Sequence, residues 1–248
     1  MPTARSFRLS LLALALLLGT GCASYTRMSP EDRSALEHRL TGVDAEQYLR
    51  VSSYVTPFFG DASRRLLTPY SPEDVEFLND TQGKPISPGP IQATVPAGAR
   101  VRITQVEFPT AWVVTERVLY SPRTWPWVYL EVEGAPKGPP LVLVLPPQLD
   151  KPEDFRAELE KYLSPRPLKP ELEALPALVR DAVREKRLVA AMPADAVRMA
   201  WGPPETVRRS MEGAARLEVW TWPTQRRVAN LSDGRLVRAE EAGKSLLP

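Results

Sequence analysis

Apolar and polar residues alternate with a period of two between residues 91 and 145, which is the spacing of strands that bury one face. The alternation predicts four strands, at residues 101–106, 112–120, 128–132 and 141–145. The connections between them are short and contain proline and glycine, which favours antiparallel neighbours over parallel crossovers. We therefore expect a small antiparallel sheet in the middle of the chain.

Apolar residues spaced by three or four predict helices on either side of this sheet. Ser29 is a suitable N-cap, Pro30 occupies a first helical position, and Leu36 lies on the apolar side of the resulting helix. Asp150 and Glu153 make a second capping box before an apolar stripe. This second helix is expected to cover the sheet.

Proline and glycine are dense in two connecting segments. Residues 56–90 are punctuated by both, so we expect mostly extended connection there. Pro165, Pro167 and Pro170 predict a stiff, extended spacer, and we place the main domain boundary near residue 170.

The last third of the chain has the pattern of a small α+β unit. A short helix is predicted at residues 193–201 and is stopped by Gly202-Pro203-Pro204. Strand-like runs follow at residues 206–209, 217–222, 227–231 and 235–238. Asp233-Gly234 between the last two runs is a strong hairpin signal, because Gly234 permits a positive φ.

Composition excludes several classes of function. The chain has 248 residues, 43% of them hydrophobic, which is enough for a packed core. Its 32 basic and 30 acidic residues give a net charge of +2, so we expect no nucleic-acid partner. With one His and one Cys, an internal disulfide and a multi-histidine metal site are excluded. We expect no enzyme, no catalytic residues, no cofactor and no metal.

The amino terminus has the three zones of a secretory signal. Arg5 and Arg8 precede an apolar run at residues 9–18, and small residues lead to Cys22. This junction resembles the lipobox of bacterial lipoproteins, although Gly19 stands where that pattern prefers Leu. The alternative for Cys22 is a buried free thiol, but a cysteine at a signal-peptide junction has no core to enter. The resemblance implies cleavage before Cys22 and acylation of its thiol, palmitate included.

Landmarks in the last third resemble the bacterial outer-membrane lipoproteins of the SmpA/OmlA (BamE) family. They are Ala191-Met192, Val197, Trp201-Gly202-Pro203-Pro204, Val219-Trp220-Thr221-Trp222 and Asp233-Gly234-Arg235-Leu236-Val237. This sequence has Ala191 where the family usually has Gly, and Trp222 where it has Tyr. Gly202, Pro203, Trp220, Trp222 and Gly234 are expected to be structural landmarks. The resemblance implies a non-catalytic accessory part in a membrane-bound assembly.

Two sets of residues are candidates for binding a partner. Trp125, Trp127 and Tyr129 fall on one face of a strand, either as an aromatic platform for a peptide or sugar or, on the simpler interpretation, as core. The other set is a basic patch on adjacent strands, with ordinary surface charge as its alternative. Its members are Arg208, Arg209, Arg226 and Arg227.

These observations predict a lipid-anchored α+β protein of the cell envelope. Its parts are a signal peptide (1–21), a tether with short helices and proline-rich connection (22–90), an antiparallel β module with a covering helix (91–170) and an SmpA/OmlA-like domain (171–248). The β module is expected to be a small SH3-like barrel or a curled sheet. The protein is expected to sit on the outer membrane through Cys22, facing the periplasm, and to bind an envelope protein. Alternatives are a peptidoglycan- or sugar-binding or processing protein, or an enzyme-inhibitor-like binder.

Overall fold

The structure is a computed structural model that describes residues 26–42 and 45–247, and its first part is an eight-stranded sheet. In chain order the strands are β1 (Glu46–Leu49), β2 (Ser53–Phe58), β3 (Asp61–Thr68), β4 (Ala93–Val95), β5 (Arg100–Glu107), β6 (Trp127–Val132), β7 (Leu141–Val144) and β8 (Leu163–Ser164). Their order across the sheet is β4-β2-β3-β7-β6-β5-β1-β8.

The sheet closes on itself because β1 and β2 are halves of one chain segment, as are β4 and β5. Glu46 lies opposite Arg102 and Ser53 opposite Val95, so both halves share one antiparallel register. Next to β2 lie β3, β7, β6 and β5 in that order, and β5 pairs with β1, which continues into β2. This order closes a small barrel. The β3–β7 pair is parallel, so the expected antiparallel arrangement is interrupted once.

Residues 46–68 differ from the extended connection expected there, since they form β1, β2 and β3. Val55 and Leu67 pack inside the barrel, whereas Phe58 and Leu66 belong to a second cluster outside it. Pro57 lies within β2 at a shift in strand register. Such an irregularity tolerates proline, which cannot donate a ladder hydrogen bond.

Two helices close one end of the barrel. These are α1 (Pro30–Leu40) and α3 (Pro152–Leu159), which bury Leu36, Phe155 and Leu159 against the barrel interior. The Ser29 cap is confirmed, because its Oγ accepts from the Asp32 N–H at 3.1 Å. The capping box at Asp150 is wrong, since α3 begins after Lys151 without a side-chain cap.

The strand expected at residues 112–120 is also wrong, because α2 (Ala111–Glu116) and a turn occupy this segment. Thr110 caps the helix by accepting from the Val113 N–H. Trp112 is 72% exposed, so burial on a sheet face does not govern the local conformation.

The last third is the expected helix-plus-antiparallel-sheet unit, here called the terminal domain. Its helices are α4 (Lys169–Glu173), α5 (Ala177–Arg184) and α6 (Ala194–Trp201). Its strands are β9 (Thr206–Glu212), β10 (Ala215–Thr221), β11 (Arg227–Ser232), β12 (Arg235–Glu241) and β13 (Lys244–Ser245), in the order β13-β12-β11-β10-β9. The described part of the chain is therefore mixed α+β, with two sheets.

The landmark residues have structural roles in this domain. Trp220 and Trp222 are fully buried in the core between helices and sheet. Gly202 ends α6 at φ 89, where a Cβ would lie 2.8 Å from Pro69, and Pro203 follows it. Gly234 has φ 74 at the turn between β11 and β12, as that hairpin requires.

Candidate functional site

The structure bears on each candidate site except Cys22, which lies outside the described residues. Within residues 26–42 and 45–247, no helix is long and apolar enough to cross a membrane. The same part of the chain holds no group of three or more His, Cys, Asp or Glu residues placed to bind a metal ion.

The aromatic residues at 125–129 pack in the core, which corrects their assignment as a partner-binding face. Trp127 is fully buried, Tyr129 is buried and Trp125 is half-buried. The Arg117 guanidinium lies 3.6 Å from the centre of the Trp127 ring. Arg64 Nε donates to the Tyr129 hydroxyl at 2.9 Å, while burial raises the pKa of Tyr129. The simpler interpretation, core packing, is confirmed for Trp127 and Tyr129.

The physical reason is the segment between β3 and β4, which covers the outer face of the barrel. Val75 is buried there and packs in one cluster with Trp127. Phe77 packs against Trp125 with 5.0 Å between ring centres and a tilt of 52° between the rings. The proline-rich connection therefore supplies apolar side chains that hide the aromatic face.

The four arginines do not form one patch. Arg227 is buried and pairs with Glu241, its Nε donating at 2.8 Å. Arg226 lies just before β11, whereas Arg208 and Arg209 lie on the edge strand β9. Neighbours along a strand point to opposite faces, so Arg208 and Arg209 also separate from each other. The expected basic patch is wrong because burial removes Arg227 from the surface.

Arg227 instead takes part in a polar joint between the barrel and the terminal domain. Asp74, at the end of a 3-10 turn at Pro72–Asp74, lies 3.4 Å from Arg227 Nε and 3.7 Å from Arg226 Nη1. Its carboxylate accepts from the Ser71 hydroxyl at 2.6 Å and from the Thr224 hydroxyl at 2.8 Å. Arg227 Nη1 is buried with no hydrogen-bond partner among the described residues.

A second polar contact joins the two parts at Lys186, which is 5% exposed. Its Nζ donates to the carbonyls of Ser52 and Ala200, the latter at 2.6 Å, and lies 4.8 Å from the centre of the Tyr54 ring. Burial, and then the charge of Arg227, hold the pKa of Lys186 well below its usual value. The Ser52 hydroxyl donates to the Val183 carbonyl at 2.7 Å. The terminal domain is therefore fixed to the barrel by buried hydrogen bonds from both sides.

Clefts lie on either side of this joint. One, of about 360 Å³, is lined by Tyr70, Phe77 and Tyr162 among others. Burial raises the pKa of Tyr70 to about 12, and the Tyr70 hydroxyl donates to the Pro203 carbonyl at 3.2 Å. The other, of about 750 Å³, lies between Leu168 and Met199. Both linings mix apolar and charged side chains, and neither places a nucleophile against a base among the described residues.

The terminal sheet carries its helices on one face only. Trp220, Ala229 and Ala239 line the covered face, packed in the core with α5 and α6. Because side chains alternate, Leu217 and Val219 point to the other face, where both are half-buried. We call this surface the open face, and it also carries Val228, Asn230, Arg208 and Arg238.

Arginines stand on both sides of the apolar centre of the open face. Across the sheet Arg208 lies opposite Val219, which lies opposite Asn230, which lies opposite Arg238. Arg208 forms no salt bridge with the described residues, and Arg238 pairs with Glu240. Of the four predicted arginines, the open face thus holds Arg208.

Sequence reasoning missed both groups at the interdomain joint. Asp74 belongs to the short helix start at Ser71-Pro72-Glu73-Asp74, and its place three residues after Ser71 is the signal that the sequence offers. Lys186 has φ 55, an uncommon backbone conformation for a residue with a side chain, but no sequence pattern announces it.

The chain was also compared with known proteins. No protein-family model, no curated protein and no solved structure matches it.

Proposed function

We propose that this chain is a lipid-anchored protein of the cell envelope that binds a partner protein without catalysing a reaction. Cys22 carries the lipid in this proposal, and the preceding residues 1–21 are the signal that directs cleavage. The pattern of basic residues, apolar run and small residues before Cys22 supports it. Localisation at the outer membrane, facing the periplasm, belongs to the same proposal.

The open face is the observation that carries partner binding. A sheet that buries one face under helices leaves the other to water, and here the centre of that face is apolar. Leu217, Val219 and Val228 are each half-buried on it. An apolar centre with charged residues at its rim is the anatomy of a protein-binding surface. Arg208, which forms no salt bridge with the described residues, favours a partner with an acidic side chain opposite it, whereas Arg238 is already paired with Glu240 on the same face.

The resemblance to the SmpA/OmlA family supports a non-catalytic role. Gly202 and Gly234 have the positive φ values that the resembling landmarks need, and Trp220 packs between α6 and the sheet. A domain of this kind implies stabilisation of partner subunits in a membrane-bound assembly. This chain adds a barrel to that domain, and the resemblance does not imply the family's own partner. The proposed client is an envelope protein.

The lipid anchor is tested by metabolic labelling of the full-length chain. Cells that express it with a carboxy-terminal tag are fed labelled palmitate, and membranes are separated from soluble protein. We expect label and membrane association in the natural chain and loss of both in Cys22→Ala. A natural chain that is unlabelled and soluble would refute the anchor.

The open face is tested by site-specific photo-crosslinking in the same cells. A photoreactive phenylalanine derivative at Val219 is expected to give a discrete adduct with one envelope protein, while the same group at Leu178 is not. Leu178 is the matched control because it is 65% exposed but lies on α5, away from the open face. Arg208→Ala should weaken the adduct more than Arg209→Ala, its neighbour on the opposite face. Equal adducts from both photoreactive positions would contradict the assignment.

A further inference from the structure

Several large apolar side chains are exposed together at the connection between β5 and β6. Trp112 is 72% exposed, Leu119 64% and Tyr120 63%, and Val118 beside them is 43% exposed. We call residues 112–120 the apolar loop. Scattered single apolar residues on a surface are ordinary, but four exposed within nine residues of sequence require an explanation.

Arg117 is a buried residue of the apolar loop, 7% exposed, and its side chain attaches the loop to the barrel. Its Nε donates to Glu107 Oε1 at 2.8 Å, and its Nη1 donates to the carbonyls of Arg123 at 2.6 Å and Trp125 at 2.7 Å. The same guanidinium stacks on Trp127. These bonds hold the chain at Arg117, between Trp112 and Leu119, in a conformation that leaves both of those side chains exposed.

The apolar loop lies at the end of the barrel where the described chain begins. Glu107 at the end of β5 pairs with Trp127 at the start of β6, which pairs with Val144 at the end of β7. The segments that follow β5 and β7 therefore leave the barrel at the same end. Asp150, in the segment after β7, binds Arg27 at 3.5 Å. The first described residues are thus tied to the end that carries the loop.

The distance available to an anchor at Cys22 is short. Thr26 is the first described residue and is 7% exposed, and Met28 is buried in the barrel cluster. Four residue steps separate Cys22 from Thr26, and a fully extended chain spans about 3.5 Å per residue, or about 14 Å here. A lipid on Cys22 would hold this end of the barrel against the bilayer.

We propose that the apolar loop inserts into the interfacial region of the membrane to which Cys22 is anchored. This inference rests on the proposed anchor. Trp and Tyr are enriched at the membrane–water interface, where an apolar ring and a polar group are both accommodated. Between Thr110 and Trp127 the acidic residue Glu116 stands against Arg117 and Arg123, so the loop carries no net negative charge. The loop thereby orients the barrel on the lipid surface.

The six tryptophans make the test specific, because Trp112 is the one that is exposed. The chain from Cys22 onward has a single thiol, so a maleimide phospholipid couples at that position alone. The coupled protein is placed in vesicles of phosphatidylcholine and phosphatidylglycerol, with or without bromine on the acyl chains. We expect brominated lipid to quench Trp112, aqueous iodide to lose access to it, and Trp112→Phe to abolish both effects.

Variants separate the loop from general surface hydrophobicity. The double variant Leu119→Ser, Tyr120→Ser is expected to lose quenching by brominated lipid and to restore quenching by iodide. Met211→Ser is the matched control, since Met211 is 66% exposed on β9 of the terminal domain, and it should leave both signals unchanged.

Two outcomes would overturn the inference. Trp112 that stays open to iodide on the vesicle would show that the loop faces water. Protection from iodide without quenching by brominated lipid would assign the loop to contact with a second copy of the chain. Chemical coupling supplies the anchor, so these results test the loop independently, whereas labelling with palmitate tests the anchor itself.

Discussion

Removing the carboxylate of Asp74 should strongly destabilise the joint between the barrel and the terminal domain. The Asp74 side chain is 2% exposed and faces Arg227, whose side chain is 7% exposed. Removing one partner of a buried ion pair costs about 3–5 kcal/mol, because the other charge stays buried and uncompensated. Arg227 keeps Glu241 at 2.8 Å, so we expect a loss near the lower end, about 3 kcal/mol, for Asp74→Ala.

This loss is large relative to the stability of an ordinary protein. Folded chains are stable by about 5–15 kcal/mol, so a 3 kcal/mol loss removes about a fifth or more. For about 200 residues, each kcal/mol lowers Tm by about 2–4 °C, which predicts a fall of about 6–12 °C. Asp74→Asn keeps the shape and an acceptor for the Thr224 hydroxyl, so its loss should be smaller.

Urea unfolding followed by two probes is the assay. Tryptophan fluorescence reports on both parts, through Trp201, Trp220 and Trp222 in the terminal domain and Trp112, Trp125 and Trp127 on the barrel. Far-ultraviolet circular dichroism weights the two parts differently, by their helices and strands. Because Asp74 bridges the domains, Asp74→Ala should separate the two signals into distinct transitions. Asp195→Ala is the control, since Asp195 is 86% exposed in its pair with Arg198 and should cost less than about 1 kcal/mol. An Asp74→Ala curve that matches this control would refute the reasoning.

Three further predictions concern the glycine, the tryptophan and the lysine that the structure singles out. Gly202 has φ 89 and ψ 177, a region almost restricted to glycine, so Gly202→Ala should cost about 1–3 kcal/mol in thermal unfolding, and more than Gly213→Ala, where no atom lies within 4 Å of an added Cβ. Trp127→Ala should cost about 3–5 kcal/mol, whereas Trp112→Ala should stay within about 0.5 kcal/mol; equal losses would mean that the aromatic face is not core. Lys186 has a lowered folded pKa, so above that pKa the unfolded chain binds more protons than the folded chain, and the free energy of unfolding should rise with pH toward about 9, below the usual lysine pKa. Lys186→Met should flatten this rise in urea titrations at several pH values, and Lys161→Met, at an exposed lysine, should not.

The parts of the fold that local pattern decides were predictable. Ser29 caps α1 as expected, and the Asp233-Gly234 turn joins β11 to β12. Each depends on residues a few positions apart, where backbone conformation and capping are local effects. The terminal domain was predicted well for the same reason, since its sheet is a meander of neighbouring strands.

The barrel was harder to predict because its closure depends on distant residues. Proline at position 57 hid the alternation of β2, and the parallel pairing of β3 with β7 joins segments that no short turn connects. At residues 112–120 the pattern predicts a strand, but the segment is a helix and a turn in which Trp112 and Tyr120 are exposed. Periodicity indicates which residues share a side of an element, and it does not show whether that side is covered.

The basic patch expected from Arg208, Arg209, Arg226 and Arg227 was wrong for a similar reason, because burial of Arg227 depends on distant residues. Asp74 and Thr224 are 150 residues apart, so nothing near Arg227 in the sequence indicates a buried carboxylate. Four arginines on predicted strands look alike by composition, yet one lies in the joint and one on the open face. A count of charged residues describes the protein surface only when the buried ones, such as Arg227, are left out.

The buried joint decides how a surface on the terminal domain would be presented at a membrane. Lys186 and Asp74 connect different elements of the terminal domain to the barrel, and two separate buried contacts resist rotation as well as separation. A single tether at Cys22 would leave the orientation of the protein free, whereas the apolar loop inserted in the same membrane would add a second point of attachment. With the joint intact, these two points would set the direction in which Val219 and the open face meet a partner. Loosening the joint with Asp74→Ala should therefore weaken the crosslink at Val219 even though no residue of the open face has changed.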